Sequence, residues 1–221
     1  MTVTPMFPLG TVVLPGMPLP LRIFEERYQQ MLVDVMAGDR TFGVVLIERG
    51  SEVGGGDFRS DVGTLVRIVR HQPMADGHQA IVVIGIERIR VEHWLPDAPY
   101  PCAEVSVWPE ETQSHTRTRT QTAPGGSTDG DPDTSELGSP DTVRLYRSCT
   151  RDLRHLLATA VELGHQVAPS TFEIPDDPVA GSYLLASLTP VGPFDKQRLL
   201  KAPGVDDRLL LLRKLVVDQL D

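Results

Sequence analysis

The sequence predicts an α+β protein built in two unlike halves, and three observations predict it. Val/Ile-rich runs punctuated by Gly, Pro and Asp fill the first half. Leu-rich segments with helical spacing and Asp or Asp-Pro starts fill the second. Between them lies "EETQSHTRTRTQTAPGGSTDGDPDTSELGSPD" (110–141), where Leu137 is the only large aliphatic residue. Such a stretch buries too little apolar surface to offset its ordering entropy. The expected division is a β domain over 1–109, a flexible acidic linker or long loop over 110–141, and an all-α helical bundle over 142–221.

Taken in order, the chain opens with "LPGMPLPLRIFEERY" (14–28), an apolar, proline-broken stretch that turns into helix. Prolines suit the edge of a sheet, where a missing N–H costs no ladder bond. Phe24, Tyr28, Met31, Leu32, Val35 and Met36 then recur at helical spacing, and Gly38 stands where a C-terminal glycine belongs. Strands follow at "TFGVVLIE" (41–48), "GTLVRIVR" (63–70), "AIVVIGIERIRVEHW" (80–94) and "AEVSVW" (103–108). The Gly54–Gly56 run reads as a strand-connecting loop, and "MADGHQ" supplies an Asp-Gly hairpin turn. In the last strand, alternation puts Ala103, Val105 and Val107 on one face, opposite Glu104, Ser106 and Trp108. Past the linker, Val143, Tyr146, Cys149, Leu153, Leu156, Leu157 and Ala160 form one helical stripe, followed by Gly164. Asp177 and Pro178 mark a second helix start; Asp195, and Asp206 or Asp207, are the expected caps of two more.

Composition narrows the functions. The formal net charge is −9, yet residues 109–141 carry 7 acids against 2 bases while 142–221 carry 10 of each, so the excess acid is concentrated in the middle. That balance gives no support to polyanion binding, and nucleic acid is not the expected partner. Cys102 and Cys149 have no paired spacing, and the six histidines fall without metal-ligand intervals, so no metal or cofactor is expected. No apolar run has the length to span a bilayer, and the start lacks the basic and uninterrupted apolar regions of a signal peptide. A cytoplasmic location without membrane partners is the expectation.

Catalytic patterns fail in the same way. The three lysines, Lys196, Lys201 and Lys214, never follow a glycine, which removes the phosphate-binding Gly-Lys-Ser/Thr loop. On one helix Cys149 and His155 point about 120° apart, and Ser148 lies about 10 Å from His155, beyond proton-transfer reach. Glu25–Glu26 and Asp176–Asp177 suit helix starts. Two arginine sets remain. Arg144, Arg147, Arg151 and Arg154 share a helix face and could meet an acidic partner; their ordinary reading is a solvated face. Arg67, Arg70, Arg88 and Arg90 on neighbouring strands are candidate RNA contacts, without interleaved aromatics to stack bases.

The order of motifs carries a further signal. "MFPLGTVVLPGMPLPLRIFEERYQQML", "FGVVLIERGSEVGG", "VGTLVRIVRHQPMADGHQAIVVIGIERIRV", "PYPCAEV" and the later "GSYLLASLTPVGPFDKQRLLKAPGVDDRLLLLRKLV" resemble the N-terminal substrate-binding domain of the Lon protease family and the helical segment that follows it. The resemblance implies a PUA-like β-barrel followed by a helical bundle, with no ATPase or Ser-Lys peptidase motif in this sequence, and hence a stand-alone, non-enzymatic member. It implies unfolded or tagged polypeptides as partners, delivered to a separate protease or chaperone. It also places substrate contact at the positions matching Glu26 and Arg27, with Met17, Leu19 and Leu21 in the lead-in. From the residues alone, Glu26 and Arg27 fall off the apolar stripe and are expected at the surface, whereas Leu19 and Leu21 also fit a core role.

Overall fold

The computed structural model of the protein describes residues 1–50, 58–111 and 139–220. Among these, the order of elements is β1 (Thr2–Leu9), β2 (Pro18–Ile23), α1 (Glu26–Ala37), β3 (Thr41–Arg49), β4 (Phe58–Pro73), β5 (Gln79–Trp94), β6 (Cys102–Val107), α2 (Pro140–Glu162), α3 (Pro178–Leu188), α4 (Pro193–Leu200) and α5 (Val205–Val217). The Gly54–Gly56 loop and residues 112–138 of the expected linker lie outside the described residues.

The strands bond in the order β2-β5-β4-β3-β1-β6, all antiparallel except β1 beside β3. β6 also pairs with β5, so the ladder runs β5-β4-β3-β1-β6 and returns to β5. Length makes this possible: β5 pairs with β2 through Gln79–Ile84 and with β6 from Ile89 onward. β4 and β5 form the hairpin expected at Asp76-Gly77, where Gly77 takes φ 81° and the Met74 N–H donates to the His78 carbonyl.

β2 answers why prolines stand so close to the start. The Gly85 N–H donates to the Met17 carbonyl at 3.0 Å. Bonded pairs recur every second residue, so Leu19 with Val83 and Leu21 with Ile81 are the next ones. Pro18 and Pro20 therefore turn outward, and the rim of β2 offers their carbonyls with a donor only at Arg22. A strand with two donors missing is a poor template for another strand.

α1 closes one end of the sheet. Tyr28, Met31, Leu32 and Val35 are buried against Phe7, Phe42 and Val66, with the Phe7 and Tyr28 rings edge to face at 4.3 Å. Phe24, expected inside, precedes the helix; it is 50% exposed and its ring stands near His78. Tyr146, Cys149, Leu153 and Leu157 of α2 pack with Leu185, Leu199, Leu209 and Leu212 as the stripe predicts. Leu14 and Val62, from the strand-forming half, are buried in the same cluster. Asp177 caps α3 as expected, accepting from the N–H groups of Val179 and Ala180. The caps of α4 and α5 are instead Gly192 and Gly204. Asp195 and Asp206–Asp207 sit in the first turns, where a carboxylate still meets the positive end of the helix dipole.

Candidate functional site

The lead-in segment crosses β5 at Gly85. The Gly16 N–H donates to the Gly85 carbonyl at 2.9 Å, and a Cβ on Gly85 would stand 2.4 Å from the Leu14 carbonyl oxygen. Only glycine admits that crossing, and the crossing sets Met17 beside the outer face of β5. There the sheet meets α3, leaving a cleft of about 510 Å³ walled by Met17, Ile86, Val107, Trp108, Val179 and Leu184. Ile86 is 38% exposed and Val107 56% exposed. Val107 thus departs from the alternation that put it inside: β6 ends there, beyond the cover of the core formed by Ala103 and Val105.

Beneath the cleft a polar network ties the strands to the helices. Arg88, buried on β5, donates to the carbonyls of Leu200 (3.1 Å), Ala202, Pro109 (3.0 Å) and Pro203 (3.1 Å). Arg208, fully buried on α5, donates to Leu199 O, Ser182 Oγ, Tyr183 Oη and Glu110 Oε1, the last at 2.6 Å. The Tyr183 hydroxyl donates to the same Glu110 oxygen, while Glu110 Oε2 is buried without a partner, its charge met by the two guanidiniums. Burial draws the Arg88 pKa below the ordinary guanidinium value, with Tyr183 and Glu110 opposing. Burial pushes the Tyr183 phenol up; Glu110 adds to this and Arg208 opposes it. Above the network, the Trp108 ring has the Arg88 and Arg90 guanidiniums 4.5 and 4.6 Å from its centroid.

The residues singled out from sequence divide among several places. Met17 enters the cleft wall. Leu19 and Leu21 pack against the core beneath α1, and Leu21 also edges two smaller hollows of about 440 and 210 Å³. Glu26 is exposed, as expected. Arg27 is not: its Nε donates to Glu25 at 3.0 Å, its guanidinium lies 4.6 Å over the Tyr28 ring, and its side chain keeps 20% exposure. Arg67, Arg70 and Arg90 lie at the surface. Arg88, grouped with them as an RNA contact, is 2% exposed and committed to carbonyls, because the helical half covers that part of β5. Arg144, Arg147, Arg151 and Arg154 form the exposed face of α2; Arg144 pairs with Asp141, Arg151 with Asp152, and Arg154 donates to Phe172 O.

Sequence reasoning passed over Ile86, Trp108, Glu110, Tyr183 and Arg208. Arg208, at the head of the leucine run in "DDRLLLLRKL", was the available signal, since a charge beside a Leu-rich run must either snorkel or find buried partners. Cys149 is buried, its Sγ donates to Leu209 O at 3.4 Å, and burial pushes its thiol up to about 12, which suits structure and not nucleophilic attack. Among the described residues no His/Cys/Asp/Glu group could hold a metal ion, and no helix is long and apolar enough to cross a membrane.

Comparison with known proteins places this architecture. The family model described as the ATP-dependent protease La (LON) substrate-binding domain matches residues 3–218. The chain is 32% identical over 108 residues to the Lon protease of Cytophaga hutchinsonii, covering 48% of this chain and 13% of that protein. It is 22% identical over 227 residues to Lon protease 1 of Herpetosiphon aurantiacus, covering 96% of this chain and 24% of that one. The chain thus spans about a quarter or less of these curated relatives. A Lon N-terminal domain protein from Xanthomonas campestris superposes with a TM-score of 0.64 at 24% identity, over 97% of this chain and 98% of that one. The N-terminal domain of the Mycobacterium avium complex Lon protease gives 0.60 at 18%, over 98% and 99%. The chain belongs to the family of Lon substrate-binding domains.

Proposed function

We propose that this chain is a non-catalytic polypeptide-binding module that takes exposed apolar segments of unfolded proteins into the cleft between β5 and α3. On this reading the returning ladder β5-β4-β3-β1-β6 is a PUA-like barrel and α2–α5 are a helical bundle. The linker expected over 110–141 is shorter at both ends, because Glu110 and Glu111 bond to the helical half, and Ser139 caps α2 while Pro140 and Asp141 begin it. One observation carries the functional reading. The cleft walls are aliphatic and aromatic at Met17, Ile86, Val107, Trp108, Val179 and Leu184, with Glu87 also on the lining, while Arg88, Tyr183 and Arg208 beneath them are engaged with the protein itself. Such a site holds apolar side chains and presents no activated nucleophile. Membership of the substrate-binding family supports the same direction. The lead-in residues Leu19 and Leu21 and the start of α1 at Glu26 and Arg27 extend the contact surface along β2.

The test is a fluorescence-anisotropy titration of labelled, unfolded β-casein. Saturable binding is expected, weakened by Glu26→Lys with Arg27→Glu and displaced by excess unlabelled casein but not by a folded protein of similar charge. Absence of binding by the folded chain refutes the proposal.

A further inference from the structure

The outer face of β2, β5 and β4 is more ordered than its loose apolar appearance suggests. Directly paired residues share a face of a sheet. The register therefore sets out three rows across the strands: Pro18, Ile84 and Arg67; Pro20, Val82 and Arg70; Arg22, Ala80 and Gln72. Ile81, Val83, Val66 and Ile68 are buried on the opposite face, and Ile84 on this one is 37% exposed. Arg67 and Arg70 are three positions apart and in an unbroken strand would point to opposite sides. The extra residue between Ile68 and Arg70, the 54% exposed Val69, restores Arg70 to the face of Arg67. Bulges commonly re-aim a side chain in this way.

In the first two rows the result is a pair of prolines, a pair of aliphatic side chains and a pair of arginines side by side, with rows about 6.8 Å apart and columns about 4.8 Å apart; the third row ends the pattern with Arg22, Ala80 and Gln72. Asp76 takes up Arg22, and Asp39 lies near enough to Arg67 to feel its charge, but no carboxylate among the described residues forms an ion pair with Arg67 or Arg70. Aromatic rings that could stack nucleobases are missing from the three rows. An extended polypeptide repeats its side-chain direction at the same spacing of about 6.8 Å. We infer that this face binds an extended segment in which acidic and apolar residues alternate, its carboxylates over Arg67 and Arg70 and its apolar side chains over Ile84, Val82 and the two prolines. The inference rests on the polypeptide-binding reading and adds to it a second surface and a sequence preference. The missing N–H groups of β2 leave such a segment lying across the face, held by side chains, and not added as a further strand.

The experiment compares four fluorescent octapeptides: Asp alternating with Val and Ile, the same with Lys for Asp, the same with Asn for Asp, and Asp alternating with Ser. The Asp/apolar peptide is expected to bind about tenfold more tightly than the Lys peptide, with the Asn and Ser peptides weaker than it. Arg67→Glu with Arg70→Glu reverses the order of the Asp and Lys peptides, and Ile84→Ser weakens both. These side chains are exposed, and an unchanged melting temperature verifies the fold of each variant. Equal affinity for the Asp and Lys peptides overturns the inference, and if labelled casein still binds, the proposed function stands without it. Casein failing to bind refutes the underlying reading itself. A single-stranded oligoribonucleotide that binds and is lost on Arg67→Glu with Arg70→Glu, or reversible self-association abolished by Ile84→Ser, assigns the face to another occupant and overturns the inference.

Discussion

Arg88→Met tests how the strands and helices are held together. The side chain is 2% exposed, and its Nη1 donates to two buried carbonyls, Leu200 O and Ala202 O. Hydrogen bonds from a charged donor contribute roughly 1.5–3 kcal/mol each when their partner is left buried. The two Nη2 bonds, to Pro109 and Pro203, are only part-buried beside the cleft, so water can replace them at little cost. Glu110 keeps Arg208, so the lost ion pair adds little. The expected destabilisation is about 4 kcal/mol, near a thousandfold in the folding equilibrium. For a chain of this size each kcal/mol moves the midpoint by about 2–4 °C, giving a fall of about 8–16 °C. Arg88→Lys, which retains a charge but not the planar fork, is expected to lose about half as much. Thermal unfolding followed by both helical circular dichroism and tryptophan fluorescence measures this, since Trp108 stacks on the same guanidinium. A midpoint shift below about 2 °C for Arg88→Met refutes the reasoning.

Gly181→Ala places a Cβ 2.1 Å from the Tyr146 hydroxyl, which is fixed by its bond to Pro175 O at 3.0 Å; a loss of about 3 kcal/mol is expected in urea unfolding. Cys149, with its thiol pushed up to about 12, stays protonated in the fold while an unfolded thiol ionises near pH 8.5, so stability falls between about pH 9 and 12; Cys149→Ala flattens that slope in pH-dependent melting. At the acid end, the Lys201 ammonium holds the Asp61 carboxyl below its ordinary value, so this contribution is present above about pH 4 and is lost as pH falls through the lowered pKa. Because Asp61 is 68% exposed the effect is small, and melting of Asp61→Asn against the parent from pH 2 to 7 measures it.

What could be read in advance followed local chemistry. The alternation of Ala103 and Val105 in β6, the Asp-Gly turn, the α2 stripe and the Asp177 cap depend on neighbours within a few residues, and each is present; only Val107, at the end of β6, departs. β1 was missed because Pro5 and Pro8 argue against a strand, and its pairing with β3 joins residues far apart in the chain. The candidate site divides along the same line. Met17 was visible through the segment that carries it, whereas Ile86, Trp108 and Tyr183 converge only once α3 packs beside β5. Arg88 shows the limit plainly: on its strand it looks like its exposed neighbour Arg90, and its burial comes from residues more than a hundred positions later. Arg27 follows a milder version, drawn in by Glu25 and the Tyr28 ring.

The central claim is that unfolded polypeptide enters the cleft at β5, β6 and α3. Site-specific photocrosslinking tests it most directly, with benzoylphenylalanine placed either at Val107, on the cleft wall, or at Val161, which is 53% exposed on α2 and outside the cleft. Irradiation with labelled, unfolded β-casein is expected to give a saturable adduct from position 107 and little from position 161. Equal adducts from both positions, or none from 107 while casein still binds, contradict it.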